Sequence, residues 1–333
     1  MDTASTNKPL PLDSPAARAA LADVSHVYTD LDGTLLAPGG RLLARHDGKP
    51  SSAAAQALVE LRQLGVEITM VTGRNRSQGT EIMRLLNFER FIGEMGCVEQ
   101  IGYGDAARII YHLGNWPNNW SERSDTQVNL SYDDKKSRLD NQPRRFVALA
   151  KNHHLTPLQI IIRSGAIELL ERKFAGRLEK HDPTGDRREV TQMMRGFVDD
   201  RAAARVLSAI QPPLQLFNNG IIHPPFHNLR DTNPIHIYHL MPQGAGKDSA
   251  VAADIQWRGL RREQTLAIGD AASDLAMGRY TGVFVLARTS QNAHLQEQRV
   301  WERGEICDGF FTTGYTIDGW VEFAQALIAA KRS

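Results

Sequence analysis

Cysteine is almost missing from this sequence: Cys97 and Cys307 are the only two in 333 residues. They stand far apart, in no Cys-x-x-Cys and no framework spacing, which excludes a disulfide scaffold and fits a reducing cytoplasm with two ordinary buried thiols. An excess of one charge is also missing. The 39 Lys and Arg residues face 38 Asp and Glu residues, so the charge footprint of a nucleic-acid-binding or membrane-surface protein is not there. No apolar run approaches the roughly 20 residues needed to cross a bilayer. The N-terminus has no basic stretch followed by an apolar one, so it does not read as a secretory signal. A soluble, cytoplasmic protein with no nucleic-acid or membrane partner is expected.

What the chain does have is apolar content, at 41%, and enough length for a large core and two domains. Residues 1–21 are read as a loose tail. Strand and helix patterns then alternate. Strands are expected over 24–31, 66–71 and 91–94, with a hairpin over 98–111. Helices are expected over 51–64, with Ser51 or Ser52 as cap, and over 74–86. From about Leu113 the pattern changes. Turns rich in Asn, Trp116 and Trp120, and the cluster Asp133-Asp134-Lys135-Lys136 precede an α+β stretch. There, helices are expected over 143–152, 167–181 and 200–210. Extended segments are expected over 158–163, 189–198, 214–217 and 235–240. After Pro242 the alternation returns, with helices over 247–257 and 274–280, strands over 265–268 and 283–286, and an amphipathic helix over 318–331. The expected fold class is α/β. A doubly wound, mostly parallel sheet spans 22–112 and 240–333 and is split by an inserted α+β segment, 113–239.

Four short elements carry chemistry. Asp30-x-Asp32-Gly33-Thr34 ends the first strand with two carboxylates and a turn, a grouping suited to a hard cation and an anionic ligand. Thr72-Gly73-Arg74 puts a hydroxyl at the end of the second strand. Lys247 begins a helix after Gly244 and Gly246. Asp270-Ala271-Ala272-Ser273-Asp274 follows the strand 265–268. Sites in open parallel sheets lie beyond the carboxyl ends of the strands, so these elements can converge. The Gly244–Lys247 run lacks the spacing of a phosphate-binding P-loop. His223, His227, His236 and His239 match no zinc-ligand spacing.

This ordered set resembles the haloacid dehalogenase superfamily in its phosphatase branch, and the insertion resembles the large α/β cap of Cof-type and sugar-phosphate phosphatases. Glu94-Met95-Gly96 is similar to that branch's Glu-Asn-Gly, with Met95 in place of Asn. The resemblance implies that Asp30 is a nucleophile forming an aspartyl-phosphate and that Asp32 is the general acid and base. It implies Mg²⁺ held by the Asp30 carboxylate, the Asp32 backbone carbonyl and Asp270. Asp274 would act through a water or steady the loop. Thr72 and Lys247 would bind the transferring phosphoryl group, with Gly33, Thr34, Gly73 and Arg74 around it. Asp32 favours phosphoryl transfer over dehalogenation, because an alkoxide leaving group needs a proton. The implied substrate is a small phosphorylated metabolite, a sugar phosphate or a phosphorylated hydroxy acid, chosen by the cap. A phosphomutase and a non-catalytic phosphometabolite-binding protein are the alternatives. The cap's basic residues, Arg163, Arg188 and Arg195 among them, read mainly as a solvated helix face. Trp116 and Trp120 read as hinge or lid packing.

Overall fold

The computed structural model describes residues 9–116, 155–183, 187–230, 232–297, 300–302, 306 and 308–333. The chain forms two compact units, Met1–Thr72 with Val251–Ser333, and Gly73–Ala250. Residues 73–112 and 240–250, expected with the parallel sheet, thus fall in the same contact unit as the insertion.

In the first unit six strands lie in the order Leu10–Pro11, Asp308–Tyr315, Val283–Arg288, Thr265–Gly269, His26–Thr29 and Glu67–Val71. Every neighbouring pair is parallel. The strands His26–Thr29 and Thr265–Gly269 are buried at every position, as expected where helices cover both faces of a parallel sheet. The helix Ile317–Arg332 buries Trp320, Phe323, Ala324, Leu327 and Ile328. It packs against the helices Ala53–Gln63 and Pro15–Leu21. At Ala53–Gln63 it is Ser51, one residue before the cap position, whose hydroxyl accepts the Ala53 N–H.

The N-terminal expectation needs correction. Residues 10–21 are not a loose tail: Leu10 and Pro11 pair with Phe310 and Phe311, and Pro15–Leu21 is a helix with Ala17 and Leu21 buried. The Ser14 hydroxyl accepts the Ala17 N–H, and Pro15 occupies the first turn, where its missing N–H costs nothing. The partner strand, Asp308–Tyr315, was not expected either, because its Gly and Thr content hides the strand pattern.

The second unit holds an antiparallel meander, Arg90–Gly93, Val98–Ile101 and Arg108–Tyr111. It also holds an antiparallel sheet in the order Leu178–Lys180, Gln192–Gly196, Ile235–Pro242, Leu214–Ile222. The helix Arg76–Leu86 begins at a capping box between Asn75 and Gln78. Met194, Tyr238, Leu240 and Leu214 share one core with Ile160, Ile167, Leu170, Ala203 and Leu207, so one sheet face is covered by the helices Pro157–Arg163, Ala166–Lys173 and Asp200–Leu207. Two expectations fail here. Residues 158–163 form a helix, not a strand, because Thr156 and Gln159 build a capping box and Pro157 fits the first turn. The helix expected to run to His181 stops at Lys173. The chain turns through Gly176, at φ +74°, into the strand Leu178–Lys180. Trp116 is buried, with its Nε1–H donating to the Pro213 carbonyl at 2.9 Å. Trp120, the 133–136 cluster, the helix expected over 143–152 and Cys307 lie outside the described residues, while Cys97 is buried as expected.

One carboxylate ties this unit together. Glu94 is fully buried. Its Oε1 accepts the Glu189 N–H (2.7 Å), and its Oε2 accepts the N–H groups of Val190 (3.0 Å) and Thr191 (2.8 Å) and the Thr191 hydroxyl (3.1 Å). Arg188, beside it, donates to the Gly73 carbonyl (3.0 Å) and to Thr191 Oγ1 (3.1 Å). Burial pushes the Glu94 carboxyl up, and Arg188 and the backbone donors pull it back. In Glu94→Gln an amide donor faces backbone donors in a dry site. A loss of about 2–4 kcal/mol in unfolding free energy is expected, to be read from urea denaturation.

Candidate active site

Asp30 follows the strand His26–Thr29, and its N–H extends the ladder by donating to the Ile268 carbonyl at 2.9 Å. The chain then folds back sharply, with the N–H groups of Thr34 (3.2 Å) and Leu36 (2.8 Å) both donating to the Leu31 carbonyl. Gly33 makes the reversal at φ +91°. A Cβ there would lie 2.8 Å from Asp270 Oδ2, so backbone conformation and close approach both demand glycine. Asp30 is buried at 5% exposure, while Asp32 is exposed. Behind Asp30, the Trp320 indole donates to Thr29 Oγ1 (3.1 Å), and that hydroxyl donates to the Asp30 carbonyl (2.8 Å).

The neighbouring parallel strand, Thr265–Gly269, pairs Ile268 with Thr29. That register sets Gly269 opposite Asp30 and puts Asp270, one residue past the strand, next along. Asp270 Oδ1 accepts the Thr34 hydroxyl at 3.2 Å. Asp274, on the short helix Ala272–Leu275, is fully buried, and its Oδ2 accepts the N–H groups of Asp270 (3.1 Å) and Ala271 (3.0 Å). That carboxylate oxygen thereby joins the backbone at Asp270 and Ala271 to the short helix. One carboxylate oxygen from each of Asp30, Asp270 and Asp274 lies within 4.8 Å of the other two. Three acids this close, two of them buried, repel one another unless a cation joins them. An all-oxygen donor set fits a hard divalent ion such as Mg²⁺. Thr72 sits at the end of the strand Glu67–Val71, which pairs Met70 with Thr29, and is buried.

Gly73, Arg74 and Lys247 belong to the second unit. A Cβ on Gly73 would lie 3.1 Å from Met95 Sδ, 3.4 Å from Asn219 Nδ2 and 3.7 Å from His239 Nε2. The Arg74 carbonyl accepts the Glu94 N–H at 2.9 Å. Lys247 is buried at 5% exposure and opens the helix Lys247–Arg258. A Cβ on Gly96 would strike the Gly246 carbonyl oxygen and the Lys247 nitrogen, so the Glu94–Gly96 turn and the lysine are packed together. His239 is buried, and burial, Arg188 and Lys247 push its imidazole well below the usual range, toward the neutral form. Among the described residues, no histidine belongs to a group of three potential metal ligands.

Several supporting groups escape sequence reasoning. Thr29 and Trp320 act through tertiary contacts, and Trp320 reads from sequence only as part of an apolar stripe. Asn292, whose side chain reaches the Asp270 carbonyl at 2.8 Å, lies in no motif.

Residues 27–113 match the family described as haloacid dehalogenase-like hydrolase. No curated protein matches the sequence. Among solved structures, protein 0175 of Thermoplasma acidophilum is similar at 12% identity and a TM-score of 0.54, over 91% of this chain and 98% of that one. The sucrose-phosphatase of Synechocystis sp. PCC6803, solved with sucrose and phosphate, is similar at 13% identity and a TM-score of 0.52, over 92% and 98%. The HAD subclass IIB sugar phosphatase BT4131 is similar at 14% identity and a TM-score of 0.50, over 91% and 98%. At such identities the likeness is one of fold, an α/β core with a mostly parallel sheet and an inserted segment. The matched segment opens on the strand that delivers Asp30.

Proposed function

We propose that the chain is a Mg²⁺-dependent phosphatase that hydrolyses a small phosphate monoester. The observation that carries this reading is the meeting of Asp30, Asp270 and Asp274 within 4.8 Å at the ends of adjacent parallel strands. The Asp30 and Asp270 carboxylates, the Asp32 backbone carbonyl and Asp274 would hold the ion. When bound, Mg²⁺ would offset the negative charge that a phosphate dianion and an attacking carboxylate bring together.

The residues divide the remaining work. An Asp30 oxygen attacks phosphorus, and the bond to the leaving oxygen breaks, giving an aspartyl-phosphate. Asp32, exposed at the turn and able to exchange protons, gives its proton to the leaving oxygen. It then takes a proton from the water that attacks the aspartyl-phosphate, which frees inorganic phosphate and restores the Asp30 carboxylate. Thr72 and Lys247 bind the transferring oxygens, and Gly33 and Gly73 let backbone N–H groups approach them beside Thr34 and Arg74. The segment 113–239 would select the leaving group. A sugar phosphate or phosphorylated hydroxy acid is the proposed substrate; the likeness in fold to a sucrose-phosphatase and a sugar phosphatase supports that choice. The near-absence of cysteine supports a reducing, cytoplasmic setting.

Asp30→Asn is nearly isosteric but offers no nucleophilic oxygen anion. Its turnover of p-nitrophenyl phosphate and of a hexose phosphate panel is expected to fall by about 10³-fold or more, with an unchanged circular dichroism spectrum. Wild-type turnover by this variant would remove Asp30 from the nucleophile's role. A chelator is expected to stop hydrolysis, Mg²⁺ to restore it and Ca²⁺ to restore it poorly, because Ca²⁺ accepts looser, higher coordination. A phosphomutase would convert a hexose 1-phosphate to the 6-phosphate instead of releasing phosphate, and a binding protein would turn over nothing on the panel.

A further inference from the structure

We infer that Asn292 is a positioning residue that holds Asp270 in place for a divalent cation. The inference rests on the metal-dependent reading above. Asn292 is buried at 4% exposure. It follows the strand Val283–Arg288, which pairs with Thr265–Gly269, the strand leading to Asp270. Both amide hydrogens are used: Nδ2 donates to the Asp270 carbonyl (2.8 Å) and to the Ala287 carbonyl (2.8 Å). Its Oδ1 accepts the Thr289 N–H at 2.9 Å. One side chain thus binds three backbone groups across the ends of two adjacent strands.

The consequence falls on Asp270. Its N–H is held by Asp274 Oδ2, its carbonyl by Asn292 and its carboxylate by the Thr34 hydroxyl. The residue is fixed at three points, on both sides of its Cα and at the side chain. Asn292 supplies the only one of these three that comes from the strand Val283–Arg288 and its following loop. A carboxylate that must meet a small cation in near-octahedral geometry gains from such fixing, because disorder in the ligand is lost on binding. The position needs two donors and one acceptor in a plane. Asparagine provides them, whereas neither aspartate nor a hydroxyl does.

Asn292→Asp separates positioning from electrostatics. The variant keeps the acceptor for Thr289 N–H but turns an acceptor toward the Asp270 and Ala287 carbonyls. It also adds negative charge near the carboxylate cluster. If charge alone governed cation binding, Mg²⁺ would bind more tightly; if positioning governs it, Mg²⁺ binds more weakly. Mg²⁺ titration calorimetry on the substrate-free protein is expected to give about tenfold weaker binding for Asn292→Asp. The Mg²⁺-induced rise in melting temperature is expected to shrink in parallel. Asn292→Ala, which adds no charge, is expected to weaken Mg²⁺ binding similarly and serves alone if the aspartate variant does not fold. Mg²⁺ affinity within twofold of wild type in either folded variant overturns the inference and leaves the phosphatase reading standing. A wild-type protein that binds no Mg²⁺ overturns both.

Discussion

Three carboxylates within 4.8 Å of one another are the constraint around which the first unit is built. Two unit charges at that separation repel by a few kcal/mol at the effective dielectric of a partly buried site. No loop would hold them there by its own preference. The parallel register does, because Asp30 and Asp270 each follow the end of a strand and those strands are adjacent, with Thr29 opposite Ile268. The repulsion is thus built into the sheet. It lowers folding stability, and a bound cation would recover that loss.

Given that crowding, the surrounding contacts fall into a pattern. Each acid that faces the cluster is tied down through its backbone by a neighbour that carries no charge or has its charge engaged. Trp320 and Thr29 brace the Asp30 carbonyl. Asp274 commits one oxygen to the N–H groups of Asp270 and Ala271, so part of its negative charge is met by backbone dipoles at a helix start. Gly33 closes against the Asp270 carboxylate with no Cβ to keep it away. The result is a preorganised oxygen cluster whose geometry does not depend on the long, flexible side chains of surface residues.

The parts of this arrangement that sequence reveals are those set by local pattern. Four of the six strands, His26–Thr29, Glu67–Val71, Thr265–Gly269 and Val283–Arg288, show themselves in short apolar runs, the C-terminal helix in the stripe from Trp320 to Ile328, and the acids in their spacing at strand ends. The failures share a cause. Residues 158–163 are apolar enough to read as a strand, and only the Thr156–Gln159 capping box, a detail at the helix start, decides for a helix. Leu10–Pro11 is too short to show a period at all and is ordered by Phe310 and Phe311, some 300 residues away in the chain. Thr29, Trp320 and Asn292 matter through contacts between distant segments, which no local pattern encodes. Arg188 and Arg195, read as solvated, are instead engaged: Arg188 with Gly73 and Thr191, and Arg195 with Glu179 at 2.7 Å.

The same logic explains the Glu94–Gly96 turn of the second unit. Glu94, Met95 and Gly96 all have positive φ, at 48°, 60° and 95°. For the two residues that carry a Cβ this costs on the order of 1–2 kcal/mol each, and Met95 has none of the short polar side chain that makes asparagine comfortable there. Four hydrogen bonds to the Glu94 carboxylate from residues 189–191 offset that strain. Arg188, in the same segment, holds the Gly73 carbonyl. A strained turn, a buried acid and the backbone next to Thr72 are therefore one mechanical piece with a segment of the insertion. Within this unit, Arg188 reaches the Gly73 carbonyl directly and Thr191 reaches it through Arg188, so a sequence change at either position bears on the backbone at Gly73.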